Sequence, residues 1–483
     1  MSSHGLRVLI AAALICAPAG LRAAFSPAGG ETAAGQGNAT PVLPGIWMPR
    51  GDTQVAALDR FSLGLGIQYR LMHNASNIPG PADTTFSDTE TYDFFRQRLR
   101  LNLSVAPRNI PAGGFVQAEF RGGFGGSSPN VSDPRGQEPT RNPFNRLQAR
   151  GIRYGFLYAT PLAGQMVIAG ILPLSDQFGD TLFSADWDFN VGGVALLGSR
   201  GAVNYRAAYL RLIEGVGASD SRQLGKDGDF FLADAIYRSE HPIHWFRWIE
   251  GGLHAYYLTI GKGLPLGDTS EGWFGATLRG RSGDTELNGF ALVNVGRLGI
   301  GVLDDGGRVV SGFDRSDAHS GYALKLEVSR PAGPCAVAVQ SLYASGDRDD
   351  GTIRDRFVTP QGLFRTEGYW AYTHLFTANP PSDVNDLAVE LGNGGAGLLT
   401  IQGRVRTELR PRLGLEVSSG WFQAARPRNG SRRMGAEVGA MCSFAVAEGL
   451  LLDIGAAGAF PGSFFPRGAA ALFEVFTRLQ FQY

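Results

Sequence analysis

The chain ends Phe473-Glu-Val-Phe-Thr-Arg-Leu-Gln-Phe-Gln-Tyr483, a stretch that alternates with a period of two. Phe473, Val475, Thr477, Leu479, Phe481 and Tyr483 share one face, and Glu474, Phe476, Arg478, Gln480 and Gln482 share the other. Successive side chains of a strand point to opposite sides, so the segment reads as a strand with an apolar and a polar face. Such a strand, finishing on an aromatic ring, fits the closing strand of a transmembrane β-barrel, whose outside meets lipid and whose inside meets water.

The same alternation opens near Phe61. Phe61, Leu63, Leu65, Ile67, Tyr69 and Leu71 face one way, and Ser62, Gly64, Gly66, Gln68 and Arg70 the other. In 95–105, Phe95, Leu99, Leu101, Leu103 and Val105 form the apolar face, broken by Gln97, with Arg96, Arg98, Arg100, Asn102 and Ser104 opposite. A helix would scatter these arginines around its circumference, so period two is the better template. Comparable segments recur at 113–124, 147–160, 163–172, 191–199, 200–213, 229–239, 246–260, 271–281, 284–297, 318–330, 334–345, 397–409, 413–424, 433–446, 450–460 and 467–483, making eighteen. Glycine blurs the pattern in 191–199 and 271–281. The expected fold is all-β: one closed transmembrane antiparallel barrel of about 18 strands over residues 60–483.

The connections alternate in length. Short turns fall at 106–112, 161–162, 331–333, 410–412 and 447–449, and longer loops at 72–94, 125–146, 173–190, 298–317 and 425–432. Tight periplasmic turns and long external loops are the barrel arrangement. Residues 346–396 then form one very long external loop; an added hairpin there would give twenty strands. Its Trp370, Tyr372, His374 and Phe376, with a helix-like 384–391, suit a segment that packs into or over the pore.

Composition agrees with this class. Of 483 residues 43% are hydrophobic, and mean hydropathy is −0.06. No apolar run long enough for a helical span lies beyond the N-terminus, whereas a barrel exposes only alternate residues to lipid and escapes that test. Residues 1–24, with apolar 8–17 and small Ala23 and Ala24, have the layout of a secretory signal peptide. Residues 25–59, rich in Gly, Ala, Thr and Pro, read as a flexible periplasmic lead-in, too short for a plug domain. The expected location is the bacterial outer membrane, with outer-membrane lipid as a partner. The strand ending at Tyr483 is the expected contact for the barrel-assembly machinery. Net charge is zero, so no global field points to nucleic acid. Cys335 and Cys442 describe no disulfide framework.

In such a barrel the polar face of each strand lines the lumen. Arg70, Arg96, Arg98, Arg100, Arg121, Arg153, Lys325, Arg404, Arg406 and Arg478 then point inward, with Glu119, Glu327, Glu408, Glu416, Glu437 and Glu474. The expected solute path is Arg70, Arg96, Arg98, Arg100, Arg121, Lys325, Arg404 and Arg406. Stacked guanidinium groups bind carboxylates or phosphates through paired hydrogen bonds. The same arginines could instead pair with the inward glutamates and brace the wall.

The stretch Thr91-Tyr-Asp-Phe-Phe-Arg-Gln-Arg-Leu-Arg-Leu-Asn-Leu, and Ser341-Leu-Tyr-Ala-Ser-Gly-Asp-Arg-Asp-Asp-Gly-Thr at the mouth of the long loop, resemble the alginate-export family of outer-membrane porins. The resemblance implies a monomeric barrel whose arginine-rich constriction passes an anionic polysaccharide such as alginate. Only three lysines and a balanced charge depart from that family.

Two other classes compete: a general porin of broad specificity and a membrane-embedded hydrolase. His241 and His244 lack a third metal ligand beside them, and Asp347, Asp349 and Asp350 lack the complete calcium-loop spacing. There is no Gly-x-Ser-x-Gly elbow and no phosphate-binding loop. The expectation is a channel with neither enzyme activity nor cofactor.

Overall fold

In the computed structural model the alternating segments close into one antiparallel barrel. The structure describes residues 53–57, 60–78, 91–123, 148–185, 189–213, 227–239, 241–261, 268–299, 302–303, 309–311, 316–347, 355–363, 370–377, 389–428, 430–465 and 471–483. The expected signal segment, residues 1–24, lies outside them.

The wall runs β1 (Phe61–Ser76), β2 (Tyr92–Pro107), β3 (Ala112–Gly123), β4 (Gln148–Ala159), β5 (Gln165–Leu172) and β6 (Val191–Arg200). It continues through β7 (Val203–Ile213), β8 (Gly228–Arg238), β9 (Trp248–Ile260), β10 (Thr269–Ser282), β11 (Thr285–Gly299) and β12 (Ser316–Ala332). The last six are β13 (Cys335–Ala344), β14 (Leu398–Arg410), β15 (Leu413–Arg428), β16 (Ser431–Ala447), β17 (Leu450–Pro461) and β18 (Leu472–Gln482). Each pairs with its neighbours, and β18 returns to β1 from Gln68↔Gln482 to Ser76↔Glu474. At the seam the Tyr483 amide donates to the Ile67 carbonyl at 2.9 Å, and the Ile67 amide to the Tyr483 carbonyl at 2.8 Å. All eighteen expected segments are strands, including the glycine-rich β6 and β10. No strand falls among the described residues between Ala344 and Leu398, so the wall has eighteen strands rather than twenty.

Some details differ from the sequence reading. Thr53–Ala57, within the expected irregular lead-in, is a strand paired with Ser62–Leu65 of β1, on the edge that β18 leaves open where the chain ends. The expected long loop at 425–432 is instead a tight reversal, with Arg428 opposite Ser431. Of the helix-like 384–391, residues 384–388 lie outside the described residues, and 389–391 are not helical.

Parity decides the outer face. Leu101, Ile152, Leu157, Leu253, Phe274, Leu326, Ile401 and Ile454 all stand exposed on the outside, with Leu157 at 71% and Leu253 at 70%. A leucine left this bare in water forgoes roughly 2 kcal/mol of burial, and a belt of them requires hydrocarbon. The barrel therefore resides in the bacterial outer membrane, with the short turns at one rim and the long connections at the other.

The inner face departs from simple parity. On β8 to β11 the inward residues include Phe230, Leu232, Tyr256, Leu258, Trp273, Phe290 and Leu292, all buried. These strands are apolar on both sides because their inner side is covered by protein, not water. The cover is the external connection between β5 and β6, whose Phe178, Leu182, Phe183 and Phe189 pack on that surface. Part of the lumen is thus an apolar core.

Candidate functional site

The site is the narrowed lumen, built from two inward-folded connections and a charged wall. Asp176 organises the first connection. Its carboxylate accepts backbone N–H groups from Phe178 at 2.6 Å, Asp180 at 3.1 Å and Phe183 at 2.9 Å, and a fourth from Leu182. Burial raises this carboxyl above its ordinary range, against the pull of the amide donors. Arg153 donates to the Ala185 carbonyl at 2.7 Å, and Arg206 to that of Ser175 at 2.7 Å, fastening the connection to the wall.

The second connection, between β13 and β14, enters the barrel at 355–363 and 370–377. The Trp273 indole donates to the Val358 carbonyl at 2.7 Å. Glu437 accepts the backbone amides of His374 at 2.5 Å, Leu375 at 3.0 Å and Phe376 at 2.8 Å. Phe376 stacks on the inward Phe422, with ring centres 4.5 Å apart. The two connections meet where the Ser184 amide donates to Gln361 Oε1 at 2.9 Å and the Gln361 amide to the Leu182 carbonyl at 3.3 Å.

The eight expected path residues form two groups. Arg70, Arg96, Arg98, Arg100 and Arg121 come together on β1 to β3, where Arg70 is opposite Arg98 and Arg98 is opposite Arg121. Arg153 joins them from β4, where a register shift leaves it between the paired Ile152 and Tyr154. Glu119 serves three of these cations: Arg100 at 2.6 Å, Arg153 at 2.8 Å, and Arg121. Arg98 donates to Gln68 Oε1 at 2.9 Å, a neutral partner. Glu119 thus braces this wall through three guanidinium groups.

Lys325, Arg404 and Arg406 form the second group on β12 and β14. Lys325 lies 3.7 Å from Glu327, and Arg406 pairs with Glu416. The Arg404 guanidinium sits 4.1 Å from the ring centre of Tyr372, on the inward-folded connection. Burial, reinforced by the negative charge of Glu327, raises the Tyr372 phenol well above its ordinary range and keeps it neutral. This group is close to balanced in charge, unlike the first.

Sequence reasoning missed a network on β7 to β9. Asp234 accepts from Arg206 Nε at 2.6 Å and from the Tyr256 hydroxyl at 2.8 Å, and lies 2.7 Å from His254 Nδ1. Arg206 and Asp234 occupy inward positions on alternating strands, so the parity rule that found the other cations would have found them. Among the described residues no metal-binding group of His, Cys, Asp and Glu is present.

No protein-family model matches the chain, and no curated protein matches it. Solved structures share its fold. A BenF-like porin from Pseudomonas fluorescens Pf-5 superposes with a TM-score of 0.54 at 12% identity, covering 87% of this chain and 98% of its own. Acinetobacter baumannii OccAB1 gives 0.54 at 11%, covering 90% and 99%. Pseudomonas aeruginosa OccK3 (OpdO) gives 0.51 at 14%, covering 87% and 95%. These neighbours overturn the resemblance to the alginate-export family, a different barrel family that also has eighteen strands. The features behind that resemblance, strand number, a short lead-in and polar loop mouths, belong to eighteen-stranded barrels in general. The protein has the fold of an outer-membrane porin.

Proposed function

We propose that this protein is a passive outer-membrane channel for small anionic solutes. The observation that carries the reading is the arginine wall of β1 to β4, where Arg100, Arg121 and Arg153 meet Glu119 and Arg70, Arg96 and Arg98 continue the same inward face. A concentration of one charge sign in a narrowed aqueous path raises the local density of counter-ions. Guanidinium groups add geometric recognition of carboxylate and phosphate. The two connections folded into the barrel favour small solutes over a polymer.

A general porin of broad specificity is the second reading. The ion pairs of Arg406 with Glu416, Lys325 with Glu327, and Arg478 with Asp453 at 2.6 Å favour it, because they neutralise much of the remaining lumen. Reversal potentials across a planar bilayer under a KCl gradient separate the two. The anion channel prefers chloride, and Arg70→Gln with Arg98→Gln lowers that preference by about threefold, a loss of two like charges from one focused field. A cation-preferring wild type, or unchanged selectivity in the variant, refutes the anion reading.

A further inference from the structure

We propose that the periplasmic mouth carries a second station for carboxylate solutes, built from Arg238, Trp248 and Arg279. The inference rests on the anion reading above and places a binding site far from the arginine wall.

Arg238 ends β8, Trp248 begins β9, and Arg279 stands near the end of β10, so all three lie at the short-turn rim. Inward parity on these strands is set by buried Asp234, His254 and Trp273, and it turns Arg238, Trp248 and Arg279 toward the lumen. The Arg238 guanidinium carbon is 5.3 Å from the centre of the Trp248 ring, and that of Arg279 is 5.7 Å away. Both arginines are exposed. Glu250 is opposite each of them in register, yet neither forms an ion pair with it or with any other carboxylate among the described residues.

A cation–π contact holds a guanidinium in place without neutralising it. The N–H edges of both groups therefore stay available, and one indole restrains two long side chains that would otherwise lose rotamer freedom on binding. A carboxylate accepts two parallel N–H bonds from such an edge. Glu250, on the strand between the pair, repels an incoming anion and keeps the site weak enough to release it.

The test uses the whole barrel in a planar bilayer, with succinate as the probe, and reads block of the chloride current from each side. From the periplasmic side, Arg238→Gln with Arg279→Gln raises the half-blocking concentration about fivefold, the size expected for losing charge-assisted hydrogen bonds at an exposed site. Glu250→Gln lowers it. Trp248→Leu, which keeps both charges but frees them, raises it about twofold. Block from the external side stays unchanged in all three variants, and responds instead to Arg70→Gln with Arg98→Gln. Heat-modifiable migration on gels checks that each barrel is folded, and Arg279→Gln alone, with a smaller shift expected, replaces the double variant if that one fails. An unchanged periplasmic block in the arginine variants, or a raised half-blocking concentration in Glu250→Gln, overturns the station. A wild type blocked only from outside sinks the station alone, whereas no block from either side sinks the anion reading with it.

Discussion

Glu119 is the residue on which the charge of the pore turns. It is buried and shared by Arg100, Arg121 and Arg153, so Glu119→Gln leaves three guanidinium groups without their common partner. Removing one member of a buried ion network costs about 3–5 kcal/mol. The expected outcome is a lower unfolding temperature in detergent together with a higher chloride preference, opposite in sign to the arginine variants. A variant that loses stability without gaining anion preference would make the cluster purely structural. Phe476 makes a second case. It is the one aromatic on the polar face of the closing strand, an exception with no explanation in its own segment. The structure packs it, fully buried, against His374 of the inward-folded connection, with ring centres 5.4 Å apart. Phe476→Ala opens a cavity costing about 3–5 kcal/mol, and is expected to raise current noise as residues 370–377 loosen.

At the scale of elements, glycine in the strands has a packing role that hides their alternation. Gly198 on β6 is opposite Tyr205 on β7, whose ring occupies the space a Cβ would need: an added carbon would lie 2.2 Å from Tyr205 Cζ. Gly113 and Tyr158 repeat the arrangement across β3 and β4, with an added Cβ 2.4 Å from the hydroxyl oxygen. An aromatic laid over a neighbouring glycine is a known device for pinning register. Gly198→Ala is expected to displace Tyr205 and lower stability by about 1–3 kcal/mol, measured by urea unfolding in lipid vesicles. The connection between β5 and β6 depends likewise on Asp176. Asparagine in its place offers one acceptor oxygen instead of two and turns an NH₂ toward amide donors. Asp176→Asn should release the connection and increase unitary conductance, and a conductance equal to wild type would show that the connection does not narrow the path.

For the whole molecule, the sequence made the wall legible and left the interior largely unread. Eighteen strands and their outward faces followed from alternation, because lipid on one side imposes a period of two on every strand it touches. Trp273 and Phe290 escaped the reading of the lumen because their strands face packed protein inside, which removes the polar half of the pattern; Arg206 and Asp234 stand at inward positions that alternation does mark. The family resemblance failed for a related reason: it rested on features common to barrels of this size.

The sequence by itself determined which side chains see hydrocarbon, since that is a local property of neighbours along an extended chain. Only the tertiary structure decided which charges meet and what fills the barrel. Glu119 reaches Arg153, Asn74 reaches Glu474 at 2.6 Å, and Glu437 receives the amides of residues 374–376, contacts spanning tens to hundreds of positions. Strand register and the descent of two external connections set those contacts, and alternation within a strand carries no information about either.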